Sequence, residues 1–239
     1  MTSPDPTCRL GADPAEAGRA AAHQLVRELC GSVAASGYEP EPGLLLGAAR
    51  VRPMASAADL GNIPDAGPVL VAAGAAYGAL EALAASFLLD EIRPDVKVVA
   101  DRFLAGAPSL RPRFVASDPW DLRPAAPSSL RALRQELAWL SSGGLLAAFV
   151  EEDDWGTAVR LARRAGAAIV PAAVTREWTR LPENGTIEMR FGAPVTSERL
   201  NRFALDAEAA DYLRWRTREL AGRHRPALRL VPRQVAQSA

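Results

Sequence analysis

Residues 68–100 decide the fold: Pro68-Val-Leu-Val-Ala-Ala-Gly-Ala-Ala-Tyr-Gly-Ala-Leu-Glu-Ala-Leu-Ala-Ala-Ser-Phe-Leu-Leu-Asp-Glu-Ile-Arg-Pro-Asp-Val-Lys-Val-Val-Ala100. Val69–Ala73 is a short, fully apolar run of the length of a buried strand. A turn of small residues follows. Residues 79–92 then read as a helix, which Arg93-Pro94 ends because a proline disfavours helical backbone in the residue before it. Val96–Ala100 is a second β-rich run. One strand, one helix and one strand within 33 residues form the unit from which parallel sheets are built.

The same alternation extends in both directions. Upstream, Asp13-Pro14 reads as a helix cap and first turn. Ala21, Leu25, Leu29 and Val33 carry a helical stripe toward a stop at Gly37. This helix is expected to pack on the domain rather than lie on a membrane. Leu44–Leu46 and Ala49–Val51 read as a first strand or hairpin, and Asn62–Gly67 as a turn. Downstream, Arg113–Ala116 is strand-like, and Ser128 or Ser129 opens a helix that Gly143-Gly144 closes. Leu145–Val150 is a buried strand, Trp155–Arg164 a helix, Ala168–Val174 a strand and Thr186–Phe191 an alternating strand. A last helix covers about residues 207–223. The expected fold is α/β: a mixed, mostly parallel sheet flanked by helices. One domain is expected over residues 13–225, with a loose leader at 1–12 and a loose tail at 226–239. Sites in such sheets form beyond the strand ends, here in the loops after Ala73, Ala100, Val150 and Val174.

Composition narrows the function classes. The 239 residues are 49% hydrophobic and 23% charged, with zero formal net charge. A chain without a basic surplus is a poor nucleic-acid binder. Lys97 is the only lysine among 28 basic residues, and with heavy Ala, Pro and Gly use this points to a high-GC bacterial genome. Cys8 and Cys30 are the only cysteines, and the expectation is reduced thiols in a cytoplasmic protein. No Cys/His spacing suits zinc, so neither a metal nor a cofactor is expected. No run of 18 apolar residues suggests a transmembrane helix. Gly-x-Ser-x-Gly and phosphate-cradling glycine loops are absent.

Asn62–Ala73 and the turn Gly74-Ala75-Ala76-Tyr77-Gly78-Ala79-Leu80-Glu81 resemble the entry strand and catalytic turn of PlsC-type glycerolipid acyltransferases. So do Arg93–Val98, Phe114–Pro119 and Leu137–Leu140 followed by Gly143-Gly144. The likeness runs from about Gly61 to Pro194. It is greatest to the branch related to ornithine-lipid synthases and hemolysin-like acyltransferases.

The resemblance implies an acyl transfer in which a turn histidine takes the acceptor's proton and a carboxylate one helical turn away orients it. Here Ala75 stands at the histidine position, and a methyl group takes no proton. Glu81 stands where the orienting carboxylate would be. The family's Phe-Pro-x-Gly-Glu loop is replaced by Phe149-Val-Glu-Glu-Asp-Asp-Trp155. Its acids repel a phosphate and suit an amine or a metal ion; they also suit a helix start capped by Asp153 or Asp154. His23 and His224 fall outside the resemblance and read more readily as structural or solvated.

Three readings stay open. In the first, the chain is a repurposed enzyme of bacterial specialised small-molecule metabolism, such as antibiotic biosynthesis. Glu81, Glu151, Asp153 and Asp154 then act on, or hold, an amine-containing substrate by acyl transfer, cyclisation or elimination. Tyr77, Arg102, Arg113, Trp155 and Trp178 line its substrate site. In the second, it is a non-catalytic relative that binds an acyl chain or stabilises a partner subunit. In the third, it is an active acyltransferase whose base comes from elsewhere. The implied donor is an acyl thioester, and an acyl-carrier protein is a candidate partner.

Overall fold

The structure, a computed structural model, describes residues 14–74, 78–117, 127–178 and 185–222. The two strands of the deciding stretch are β2 (Val69–Ala73) and β3 (Val96–Asp101), joined by helix α4 (Ala79–Asp90). Before them come α1 (Pro14–Ala35), α2 (Pro42–Ala48), β1 (Val51–Met54) and α3 (Ala57–Leu60). After them come α5 (Arg102–Gly106), β4 (Phe114–Ser117), α6 (Pro127–Ser141), β5 (Leu145–Phe149), α7 (Trp155–Ala165) and β6 (Ala168–Trp178). The last elements are β7 (Gly185–Phe191), α8 (Ser197–Leu200) and α9 (Asp206–Gly222).

The strands form one seven-stranded sheet in the order β1-β7-β6-β2-β5-β3-β4. All pairings are parallel except β6 with β7. The central strand β2 is buried on both faces and is wholly apolar, as expected of a strand covered by helices on both sides. One face carries α1, α2 and α4 over a core that includes Leu45, Leu80, Leu83 and Leu89. The other carries α6, α7 and α9 over Leu70, Leu146, Trp155, Val159 and Leu213. Helix α4 is apolar all round because it lies between the sheet and α1 and α2.

One expectation is corrected. The segment from residue 44 to 48 is helix, not strand or hairpin, and only Val51–Met54 pairs in the sheet. Pro42, Leu45, Leu46 and Ala49 are the buried positions, with Leu44 exposed. That is helical spacing, and Pro42 at the first helical position suits it. The leucine run hides this period from a reading of three residues at a time. Strand β6 also runs past the expected end at Val174 to Trp178, because β7 pairs with it over that length.

The ends of the parallel strands differ in kind. At their N-terminal ends, Arg93 is 3% exposed and closes the loops ahead of three strands. It donates to Asp95 (Nε–Oδ1 2.8 Å), to the carbonyls of Pro64 (3.3 Å) and Gly67 (2.8 Å), and to that of Gly143 (2.8 Å). The guanidinium holds the Asp95 carboxyl below its usual range, chiefly by hydrogen bonding.

Candidate functional site

The C-terminal ends of β2 and β5 lie level, since Ala73 pairs with Phe149, and β6 runs on past them from Ala172, which also pairs with Ala73. The sheet reverses its direction of winding here, with β3 and β4 on one side of β2 and β6 and β7 on the other. This is the place where open α/β sheets bind ligands. Gly74 leaves β2 packed against α9 and α7. A Cβ there would lie 2.7 Å from Thr217 Cγ2 and 3.2 Å from Trp155 Cζ2, so only glycine fits. Ala75 and Tyr77 lie outside the described residues.

Glu81 sits in the first turn of α4 and is 2% exposed. Its Oε1 lies 2.9 Å from Nη1 of Arg176, which reaches in from β6 with 30% of its side chain open to water. The carboxylate folds back over Gly78, where a Cβ would stand 2.2 Å from Oε2. A buried carboxylate needs such a partner, since desolvating it alone is costly. In the occupied arrangement the cation is Arg176, standing where an amine would have to sit to be held by Glu81.

Glu151, Glu152, Asp153 and Asp154 are exposed. No described contact joins them to Glu81. Glu152 instead faces α9: its Oε1 lies 2.6 Å from Arg218 Nη2 and 3.1 Å from Arg214 Nε, while Arg214 also donates to its carbonyl at 2.9 Å. Asp154 occupies the cap position of α7, but its side chain makes no capping bond. Trp155 is 1% exposed and fills the core on the α7 face beneath Gly74. The side chain of Trp178 lies outside the described residues.

Arg102 and Arg113 part company. Arg113 pairs with Asp90 at 2.7 Å. Arg102 lines a cavity of about 940 Å³ beside edge strand β4, with Lys97, Arg111, Arg131, Phe114 and Trp139. Lys97 Nζ stands 4.3 Å over the Trp139 ring. No acid is among the described lining residues, so the cavity suits an anionic group with an apolar or flat portion. This cavity lies three strands away from β2. Next to it on α6, burial pushes the Glu136 carboxyl up to about 7.

One contact on this side has no counterpart in the sequence reading. Nε2 of His23, on α1, lies 2.7 Å from Oδ2 of Asp101 at the C-terminal end of β3. The two residues are 78 positions apart, so no local pattern announces the pair. Among the described residues, no group of three or more His, Cys, Asp or Glu side chains is placed to hold a metal ion. Cys30 is a free thiol whose pKa burial raises. No described helix is long and apolar enough to cross a membrane.

No protein-family pattern matches the chain, and no curated protein matches it in sequence. The fold has a solved counterpart in the 1-acyl-sn-glycerophosphate (LPA) acyltransferase PlsC from Thermotoga maritima. The two superpose with a TM-score of 0.50 at 14% identity, over 91% of this chain and 86% of that one. The chain therefore has the mixed α/β, mostly parallel architecture of the PlsC acyltransferase fold.

Proposed function

We propose that this protein acts on an acyl compound in the crevice beyond β2, β5 and β6, in specialised small-molecule metabolism, without a histidine in the β2–α4 turn. The observation that carries this reading is the Glu81–Arg176 pair. The buried carboxylate fixes a guanidinium whose outer part stays open at the crevice. Such a cation is suited to a carbonyl oxygen that gains charge as an amine attacks it. A neutral amine attacks without prior deprotonation and sheds its proton as the new C–N bond forms. The substrate class is thus an acyl thioester as donor and a small amine as acceptor. A thioester carried by a phosphate-bearing arm fits the cation-lined cavity beside β4.

The pair favours a cation-led site over one in which Glu81 and the acids at 151–154 do the work. Glu81 as a base or amine holder would first have to release Arg176, and Glu152 is engaged by α9. The same pair also supports a second reading, a non-catalytic acyl-chain binder or partner-stabilising subunit, because a closed ion pair can simply fasten α4 to β6. Purified protein given octanoyl-CoA and a panel of amines separates the two. Acceptor-dependent thiol release supports the enzyme. Saturable binding of the acyl chain with no thiol release supports the binder.

A further inference from the structure

We propose that His23 and Asp101 form a proton-accepting dyad that serves acyl transfer from a position outside the β2–α4 turn. The proposal rests on the reading that the protein handles acyl thioesters. Asp101 is 8% exposed and ends β3. A carboxylate buried to that degree is not decoration, because its desolvation has to be offset by a partner. His23 supplies one, with Nε2 2.7 Å from Oδ2. Nε2 is shut off from water and makes no aligned hydrogen bond, so the contact is one of proximity that a small ring rotation would align. Catalytic hydrogen bonds are commonly misaligned before substrate binds. The Phe103 ring meets the imidazole edge-on at 4.3 Å and sets its plane, and Arg27 stands 5.5 Å over that same ring. The histidine side chain still keeps 26% of its surface open.

Placement in the sheet points the same way. Continuing the β2–β5 and β5–β3 registers puts Asp101 level with Gly74, two strands across. That is about 10 Å at the usual strand spacing, a gap that one small substrate spans. Helices α1 and α4 cover the same face of the sheet, so His23 and Glu81 lie on one side of it. With Nε2 turned to Asp101, Nδ1 is the nitrogen that exchanges a proton. An acceptor amine or hydroxyl gives its proton to Nδ1 as its lone pair attacks the thioester carbonyl carbon. The tetrahedral adduct then collapses, the C–S bond breaks, and the imidazolium returns the proton to the departing thiolate. Asp101 stabilises the imidazolium between those steps.

The test uses the full chain, octanoyl-CoA and hydroxylamine, with thiol release as the readout and circular dichroism to check folding. His23→Ala is expected to lose at least ~100-fold in kcat, in line with general-base catalysis, and free imidazole is expected to restore part of the loss. Asp101→Asn is expected to lower kcat with KM little changed. Turnover that survives His23→Ala, or a loss in folded protein that imidazole does not rescue, overturns the dyad. Should the wild type release no thiol at all, the functional reading fails. The dyad is then decided by diethyl pyrocarbonate modification of His23: protection by octanoyl-CoA supports it, and no protection overturns it.

Discussion

The two ends of the parallel strands solve opposite problems. At the N-terminal ends, Arg93 is buried and spends its donors on Asp95 and three backbone carbonyls, leaving little to offer a ligand. At the C-terminal ends, buried Glu81 and Asp101 are each matched with a side chain that keeps a quarter to a third of its surface open. The first arrangement closes the fold. The second places charge at a surface and keeps it addressable. A buried ion pair is weak evidence of stability in itself, and Asp95 is also 39% open, so what separates the two ends is which group faces water: a carboxylate at the N-terminal ends, a guanidinium or an imidazole at the C-terminal ends.

That contrast is broken most directly at Arg93. Arg93→Ala leaves Asp95 and three carbonyls unserved, and a buried acceptor left without its donor costs about 1–3 kcal/mol. Urea melts should show the loss in midpoint at unchanged slope. A loss under about 0.5 kcal/mol would mean that the N-terminal ends are not the fastened ones.

Gly78→Ala probes the other end. A methyl 2.2 Å from Glu81 Oε2 forces the carboxylate aside. Overpacking of this kind costs about 1–3 kcal/mol. The comparison requires that thiol release fall by more than stability does, because Arg176 loses its anchor. Stability lost with activity retained would show that the pair only fastens α4.

Acid acts with opposite sign on two carboxyls, Asp95 at the N-terminal ends and Glu136 on α6. The Asp95 carboxyl is lowered from 3.8, so its stabilisation is full above that value and is lost as pH falls through the folded pKa. The effect is small, since 39% of that side chain is open to water. Glu136 behaves oppositely: raised from 4.5 to about 7, it erodes stability as pH rises between those values and levels off above. Asp95→Asn should flatten the acid limb of a stability–pH curve, and Glu136→Gln the limb between 4.5 and 7.

Much of the frame was legible in the chain. Val69–Ala73, Val96–Ala100 and the helix between them stand as read, because apolar runs of strand length and an Arg-Pro helix stop are local signals. Helix α2 was missed because its period shows only over eight residues, from Pro42 to Ala49. The site was less legible for a different reason. Glu81 was singled out, but Arg176 came from β6, 95 positions away, and Asp101 met His23 from a helix outside the resemblance. Sequence spacing carries no trace of such pairs. Trp155 illustrates the converse: an aromatic beside a candidate loop that the fold buries in its core.

The central claim is that a guanidinium, not a carboxylate, leads at the crevice. Side-by-side turnover of Arg176→Gln and Glu81→Gln tests it, with octanoyl-CoA and the best amine acceptor. Arg176→Gln is expected to lose about 10²–10³ in kcat, as removal of an oxyanion donor does, and Glu81→Gln to lose less, with its cation misplaced but present. Abolished turnover in Glu81→Gln beside near-normal turnover in Arg176→Gln would contradict it and return the site to the carboxylate.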